Sequence, residues 1–371
     1  MPNLRIAIAI PTYNRVDKLK FAFQKIEAQI VDDDIEIICV ICNTASTDGT
    51  HDFLSNLKSE KVSLVIHSSL ESSIFINWSK CFEIVPSNVD WVWLHGDDDF
   101  LFENQSVNKV CQLIKSHTKA HSDLSLIHAC QTRRSQNSNQ VINGSLYDLC
   151  NSIGYLEMLG WMTSLIIKSD VFFDKFTLGY QAFSYKLKTP DDHLIMKISA
   201  FPQSALIFTS CYKKPALFID MPLVEPQDAE QTSESIQRWQ VTHEDERYFF
   251  VVDDFMKMRD EGIFNRGVKA VFFRYHTFSL FDRYTSFLIR KVINNGSLSP
   301  RDNEHLDRMK RLSSLLSEPA ESKLYLQWFR EFETAISEYE YIVLNMVKKR
   351  EQLINTNNLS QQAIYPFKVL P

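Results

Sequence analysis

In the first half of the chain, short apolar runs alternate with segments whose apolar residues recur at helical spacing. Residues 6–10 are a continuous apolar run closed by Pro11, the pattern of a buried strand. From Asp17, a plausible N-cap, the positions Leu19, Ala22, Phe23, Ile26 and Ile30 recur on one helical face. A β-branched run follows at 35–41, then STDGT opens a helix to about residue 58, and 62–67 reads as a third strand. A helix at 74–84, a strand at 91–94, a helix at 104–116 and a strand at 124–128 continue the alternation. Strands alternating with helices predict right-handed βαβ units on a mostly parallel sheet, an α/β fold. After the Pro-rich polar stretch at 222–235 the pattern becomes helical, at about 235–261, 265–294, 302–317 and 319–352. This predicts two domains, 1–225 and a smaller all-helical 226–371.

Composition agrees with an ordinary globular chain: 371 residues, 44% hydrophobic and 23% charged, enough for a large core. A net charge of −6 argues against a general nucleic-acid binder. No uncharged apolar run is long enough to span a bilayer, and the N-terminal apolar stretch is too short for a signal peptide. Seven cysteines without framework spacing read as reduced thiols in a cytoplasmic protein. Cys39 and Cys42 form a C-x-x-C, but on a strand an offset of three points them to opposite faces, which disfavours zinc. Residues 264–311 carry ten basic and four acidic side chains, and 264–294 interleave the basic ones with aromatics. That segment either packs the helical domain or a homo-oligomer contact, or lies peripherally on an anionic membrane surface.

The candidate chemistry sits where strands end. PTYNR, CNTASTDGT and HGDDD each follow a strand directly, and ligands of parallel α/β sheets bind beyond the carboxyl ends of their strands. Asp97, Asp98 and Asp99 are adjacent carboxylates whose mutual repulsion a cation would offset. Hard oxygen ligands suit a divalent cation, and Mg²⁺ typically shares one or two carboxylates with substrate phosphates. Neither a G-x-G-x-x-G after the first strand nor a P-loop is present, so a diphosphate would be held by metal and a few side chains. His117 and His121 stand at i, i+4, and a frayed helix end accounts for them better than a metal pair.

The order and spacing of IAIPTYNR, STDGT and WLHGDDDF resemble the inverting glycosyltransferases of family 2, which have the GT-A fold, over about residues 4–220. The resemblance implies a metal-dependent transfer of a sugar from a nucleotide-diphosphate donor to a glycan or lipid-linked acceptor, in surface polysaccharide biosynthesis. It implies Mn²⁺ or Mg²⁺ as cofactor, Pro11, Thr12, Tyr13 and Arg15 at the nucleotide, and Asp97 and Asp99 as the D-x-D pair. Asp99 would be the metal ligand, Asp97 would face the ribose and diphosphate as well as the metal, and Asp98 would share either role. Asn43 stands where the family usually has an Asp that reads the base, which leaves the base open. Asn77 fits a recurrent Asn, with Lys80 nearby. Asp48-Gly49 reads as a helix-start turn and not a substrate contact.

An inverting transfer also needs a carboxylate base for the acceptor hydroxyl. The resemblance places it in TPDDHLIMKISA, at Asp191 or Asp192, beside a helix opened by Pro190. His193 is an assisting metal ligand or a structural histidine. Trp161 is an acceptor platform or a core residue. The competing classes are a D-x-D phosphohydrolase with Asp97 as nucleophile and Asp99 as acid, and a non-catalytic sugar-nucleotide-binding protein. Against the former, its motif normally follows the first strand and carries Thr or Val where Leu101 stands here.

Overall fold

The computed structural model describes residues 4–69, 74–118, 123–136, 138–186, 201–227, 249–275, 278–295 and 298–336. The chain divides into two compact units. The first comprises Met1–Leu149, Trp161–Asp191 and Pro202–Glu234; the second comprises Cys150–Gly160, Asp192–Phe201 and Ser235–Pro371.

The first unit is a nine-stranded mixed sheet with helices, a GT-A-like α/β architecture. Its strands are β1 (Leu4–Thr12), β2 (Ile35–Thr44), β3 (Ser63–Ser69), β4 (Trp91–Leu94), β5 (Asp99–Leu101), β6 (Leu126–Gln131), β7 (Gln140–Ser145), β8 (Leu165–Lys168) and β9 (Pro215–Pro226). They run in the order β3-β2-β1-β4-β8-β6-β9-β5, with β7 paired to β9. The parallel character predicted from the alternation belongs to β3-β2-β1-β4 and to β6-β9. Strand β8 runs antiparallel to both β4 and β6, and it follows a helical connection from β7 through Leu146–Ile153, Tyr155–Leu159 and the 3₁₀ turn Met162–Ser164.

Four helices alternate with the strands up to β6: α1 (Val16–Glu27), α2 (Thr50–Asn56), α3 (Ile74–Glu83) and α4 (Ser106–Thr118). Strand β1 extends through Pro11 and Thr12, so the first polar cluster begins on the strand itself. Its apolar residues Ile6, Ile8 and Ile10 are fully buried, and Leu19, Phe23 and Ile26 of α1 join the same core. A fully buried side chain of this kind stabilises by about 1.5–3 kcal/mol, which fixes the sheet's register and hence its strand ends. Asp17 is not the N-cap of α1: Arg15 holds that position without a side-chain cap, and Asp17 lies in the first turn. The Val16 N–H is taken instead by Asp48 Oδ2 at 2.8 Å, a partner from the next loop. All seven cysteines are free and buried, and burial pushes the Cys39 and Cys42 thiols up to about 12.

The second unit contains the helices Val251–Asp260, Leu280–Asn295, Pro300–Leu312 and Pro319–Ile336. Pro300 opens its helix behind a capping box in which Ser299 and Asp302 exchange hydrogen bonds. The expected helix at 265–294 is broken: Ala270–Phe273 is 3₁₀, and Arg274–Tyr275 pairs with Phe278–Ser279 as a hairpin before the helix Leu280–Asn295 begins. Gly267 (φ +70°) turns the chain there, and Val268 bridges Leu316. Among its described residues the unit is therefore helical with one two-stranded ribbon. Phe264, Phe272, Phe273, Phe281, Tyr284 and Phe287 are buried in it, so these aromatics pack its core and do not face outward. Tyr155, from the middle of the chain, belongs to this core and packs on Phe255 and Phe272. Among the described residues no helix is long and apolar enough to cross a membrane.

Candidate active site

The parallel pairing brings the three polar clusters to one edge of the first unit. Thr12 lies opposite Asn43 in the β1–β2 register, and Ala9 lies opposite Leu94 in the β1–β4 register, so the loops after β1, β2 and β4 leave side by side. The first two loops are tied together. Asn14, at φ +50°, accepts from the Thr47 N–H at 2.7 Å and donates its own N–H to Ser46 Oγ at 2.9 Å. Asp48 accepts from Thr50 as well as Val16, which confirms its structural place at the start of α2.

Thr12 is the hub. Its hydroxyl donates to Asp97 Oδ2 at 2.8 Å, and its carbonyl accepts from Asn77 Nδ2 at 3.0 Å and from the Thr44 hydroxyl. Arg15 bridges the acidic turn, with Nη1 at 2.8 Å from both Asp97 Oδ1 and Asp98 Oδ2. Burial works against the guanidinium charge, and the two carboxylates more than offset it, so the Arg15 pKa is raised. Asp97 is 5% exposed; burial pushes its carboxyl up to about 6, with Arg15 opposing and Asp98 adding to the rise. Asn43 and Asn77 are buried, and each presents a side-chain oxygen without a hydrogen-bond partner among the described residues. Such orphaned acceptors are costly unless a ligand's N–H or O–H meets them. Pro11 is buried at the same strand end and Tyr13 is half-buried.

Asp99 is held differently. It is 5% exposed, and burial followed by the Asp98 charge pushes it up to about 7. The Thr163 hydroxyl donates to its Oδ2, and the Trp161 side chain lies within hydrogen-bonding reach of the same carboxylate. Arg134 stacks 5.5 Å from the centroid of the Trp161 ring. Gly96 permits this crowding: a Cβ there would stand 2.9 Å from both Asp98 Oδ1 and Asp99 Oδ2. The buried His95 turns Nδ1 to the Gly96 carbonyl at 2.7 Å, and burial lowers its pKa to about 4, so the ring is neutral. His95 and Gly96 lie inside the HGDDD cluster without an assigned role there, and Thr163 lies outside every motif. Gly96 carried a signal, as a glycine immediately before three carboxylates, whereas Thr163 carried none.

The site thus unites Thr12, Arg15, Asn43, Asn77, Asp97, Asp98 and Asp99, with Trp161 at its Asp99 end. Lys80 instead pairs with Glu83 on α3 at 3.0 Å. Asp191, Asp192 and His193 lie outside the described residues, as does His121; His117 turns its Nδ1 back to the Leu113 carbonyl. Among the described residues no three His, Cys, Asp or Glu side chains form a preformed metal cluster. The donor set nonetheless fits a hard cation completed by ligand oxygens: buried, crowded carboxylate oxygens whose protonation burial favours until positive charge offsets it.

Residues 7–172 match the family model described as glycosyl transferase family 2, and this segment is a glycosyltransferase domain of that family. The protein is a glycosyltransferase. Its fold is similar to that of S. aureus TarS 1-349 in complex with UDP, at 10% identity and a TM-score of 0.51, covering 93% of this chain and 92% of that one. The same TarS fragment in complex with UDP-GlcNAc gives a TM-score of 0.52 at 10% identity and the same coverage. Against the longer TarS structure the TM-score is 0.50 at 11% identity, and the match covers 91% of this chain but 55% of that one. No curated protein sequence is significantly similar to this chain.

Proposed function

We propose that the protein is a metal-dependent inverting glycosyltransferase that moves a sugar from a nucleoside-diphosphate donor to a glycan or lipid-linked acceptor. The observation that carries this is the convergence of Thr12, Arg15 and the three carboxylates at one strand-end edge, with Thr12 and Arg15 joined to Asp97 and Asp98 by bonds of 2.8 Å. Asn43 and Asn77 supply buried acceptors beside Thr12 that suit a nucleobase or ribose. Pro11 and Tyr13 would complete the nucleotide pocket. Asp99, with help from Asp97 or Asp98, would hold Mn²⁺ or Mg²⁺. Such a cation supplies positive charge where negative charge develops on the departing diphosphate. Arg15 would remain a fixed positive charge next to the same diphosphate.

On this proposal Asp191 or Asp192 takes the acceptor proton while the hydroxyl attacks the anomeric carbon from the face opposite the nucleotide. A role in surface polysaccharide assembly follows the same family-level reasoning. The phosphohydrolase alternative has less support, since both Asp97 oxygens are engaged, by Arg15 and Thr12, leaving a poor nucleophile. The second unit would serve acceptor or oligomer contacts. Docking to an anionic membrane would now rest on exposed basic residues such as Arg266 and Lys269, without the buried aromatics.

The deciding experiment is thermal melting against UDP, GDP, CDP and dTDP, each with Mn²⁺, Mg²⁺ or chelator. A ligand at about 100 times its dissociation constant that binds only the folded state adds roughly 2.7 kcal/mol, a readily visible shift. A metal-dependent shift with one nucleotide is expected. No shift with any pair would remove the proposal.

A further inference from the structure

The carboxylates of the acidic turn are held by two chemically different devices, and only one of them is a charge. Asp97 and Asp98 share the Arg15 guanidinium. Asp99 is bound by the neutral Thr163 hydroxyl, with the Trp161 side chain in reach. Building on the nucleotide-sugar reading above, we propose that Thr163, supported by Trp161, is the positioning residue that aims Asp99 at the divalent cation and diphosphate.

Three contacts from the run WVWLHGDDDF converge on this one threonine. The Trp93 indole donates to the Thr163 carbonyl at 2.7 Å, the Gly96 N–H donates to Thr163 Oγ1 at 3.0 Å, and Thr163 Oγ1 donates to Asp99 Oδ2. A hydroxyl has one proton. Because the lone pair faces Gly96, that proton is directed to Asp99, and the polarity of the relay is fixed. Trp93 pairs with Ile166 across β4 and β8, and just before β8 the 3₁₀ turn Met162–Ser164 brings Thr163 to the Gly96 N–H that follows β4. Thr163 is 2% exposed and Trp93 fully buried, so the hydroxyl cannot be replaced by water without opening the core. With Oδ2 held, the carboxylate loses its free rotation and presents a defined edge. A neutral donor orients the carboxylate without supplying the positive charge that a cation must supply. A second lysine or arginine there would compete with the metal.

The test compares Thr163→Val, Thr163→Ser, Trp161→Phe and Asp99→Asn with the unaltered chain. Mn²⁺ binding is followed by electron paramagnetic resonance with the nucleoside diphosphate that the melting panel identifies, and nucleotide affinity is measured separately in chelator. Loss of an outer partner of a metal ligand typically costs 10–100-fold in metal affinity. Thr163→Val is therefore expected to weaken Mn²⁺ about 10–100-fold, with nucleotide affinity in chelator unchanged, and Thr163→Ser to restore it to within about threefold. Wild-type Mn²⁺ affinity in Thr163→Val overturns the proposal. So does failure of the serine to rescue, or an equal loss of nucleotide affinity in chelator, which a merely structural role would produce. If the valine variant does not fold, Trp161→Phe decides: weakened Mn²⁺ binding supports the clamp, and unchanged binding overturns it. The two levels separate cleanly. If the unaltered chain binds no Mn²⁺ with any nucleotide, the nucleotide-sugar reading fails and takes this proposal with it. If Asp99→Asn loses Mn²⁺ while Thr163→Val does not, only the positioning role fails.

Discussion

The two flanks of the acidic turn solve the same electrostatic problem in opposite ways. On the β1 side, Arg15 neutralises Asp97 and Asp98 directly, at 2.8 Å to each. On the β8 side, Asp99 accepts from the Thr163 hydroxyl and meets no such counter-charge among the described residues, and burial with the neighbouring Asp98 pushes it up to about 7. The first flank is complete within the protein. The second is arranged geometrically and left electrically unfinished, which is the condition expected of a group that binds a cation supplied with the substrate. The difference teaches that three adjacent aspartates need not be equivalent: one bridging arginine neutralises two of them, while the third meets a neutral hydroxyl.

The comparison breaks most sharply at Asp99 itself. Asp99→Asn keeps the shape but removes the uncompensated charge, and transfer to acceptor should fall about 10²–10³-fold, a loss typical of removing one preorganised electrostatic group. If turnover survives within a few fold, the unfinished flank is not the metal side. Next in size is pH. A carboxyl raised to about 7 is protonated below that value, so Mn²⁺ affinity should fall about tenfold for each pH unit below 7 and level off above it. The sign for stability is the reverse. The folded state holds protons that the unfolded chain has released above its ordinary carboxylate range, so without metal this group's contribution declines as pH rises from about 4 to 7. Asp99→Asn should flatten both trends, checked by metal titration and melting across pH.

Arg15→Ala should change the metal response in the opposite direction from Thr163→Val. Removing the shared guanidinium leaves Asp97 and Asp98 uncompensated, so the melting shift produced by Mn²⁺ should grow by a few degrees, at roughly 2–4 °C per kcal/mol for a unit of this size. A smaller shift than in the unaltered chain would mean that Arg15 supports the cation and does not substitute for it. The smallest effect is expected from Asp48→Ala, which removes the acceptor for the Val16 and Thr50 N–H groups away from both flanks. It should cost about 1 kcal/mol in denaturant unfolding, as for a lost helix cap, with metal affinity unchanged.

How much of this could be read from the chain varies by region. The strands at 6–10, 35–41 and 91–94 are legible because long β-branched and apolar runs between helical periods admit few alternatives. The three polar clusters are legible as one site because parallel strands must present their carboxyl ends together. Arg15 sits within the first of those clusters, but its bridge to Asp97 and Asp98 links positions more than eighty residues apart. The single helix expected at 265–294 fails at Gly267 and the 3₁₀ turn. There the pairing of Val268 with Leu316 outweighs a helical periodicity that the aromatics keep on both sides of the break. Tyr155 and its neighbours join the second unit although they lie in the first half of the chain, because the aromatic core formed by Phe255 and Phe272 receives them.

By itself the sequence determined the α/β alternation, the strand-end placement of Thr12, Asn43 and the aspartates, and the absence of a P-loop. These follow from periodicity and from residue types that are expensive to place anywhere else. Only the tertiary structure decided which aspartate is neutralised and which is held by neutral donors. That choice depends on Thr163, in the turn just before β8, meeting Gly96 and Asp99, contacts between positions more than sixty residues apart that no local pattern encodes.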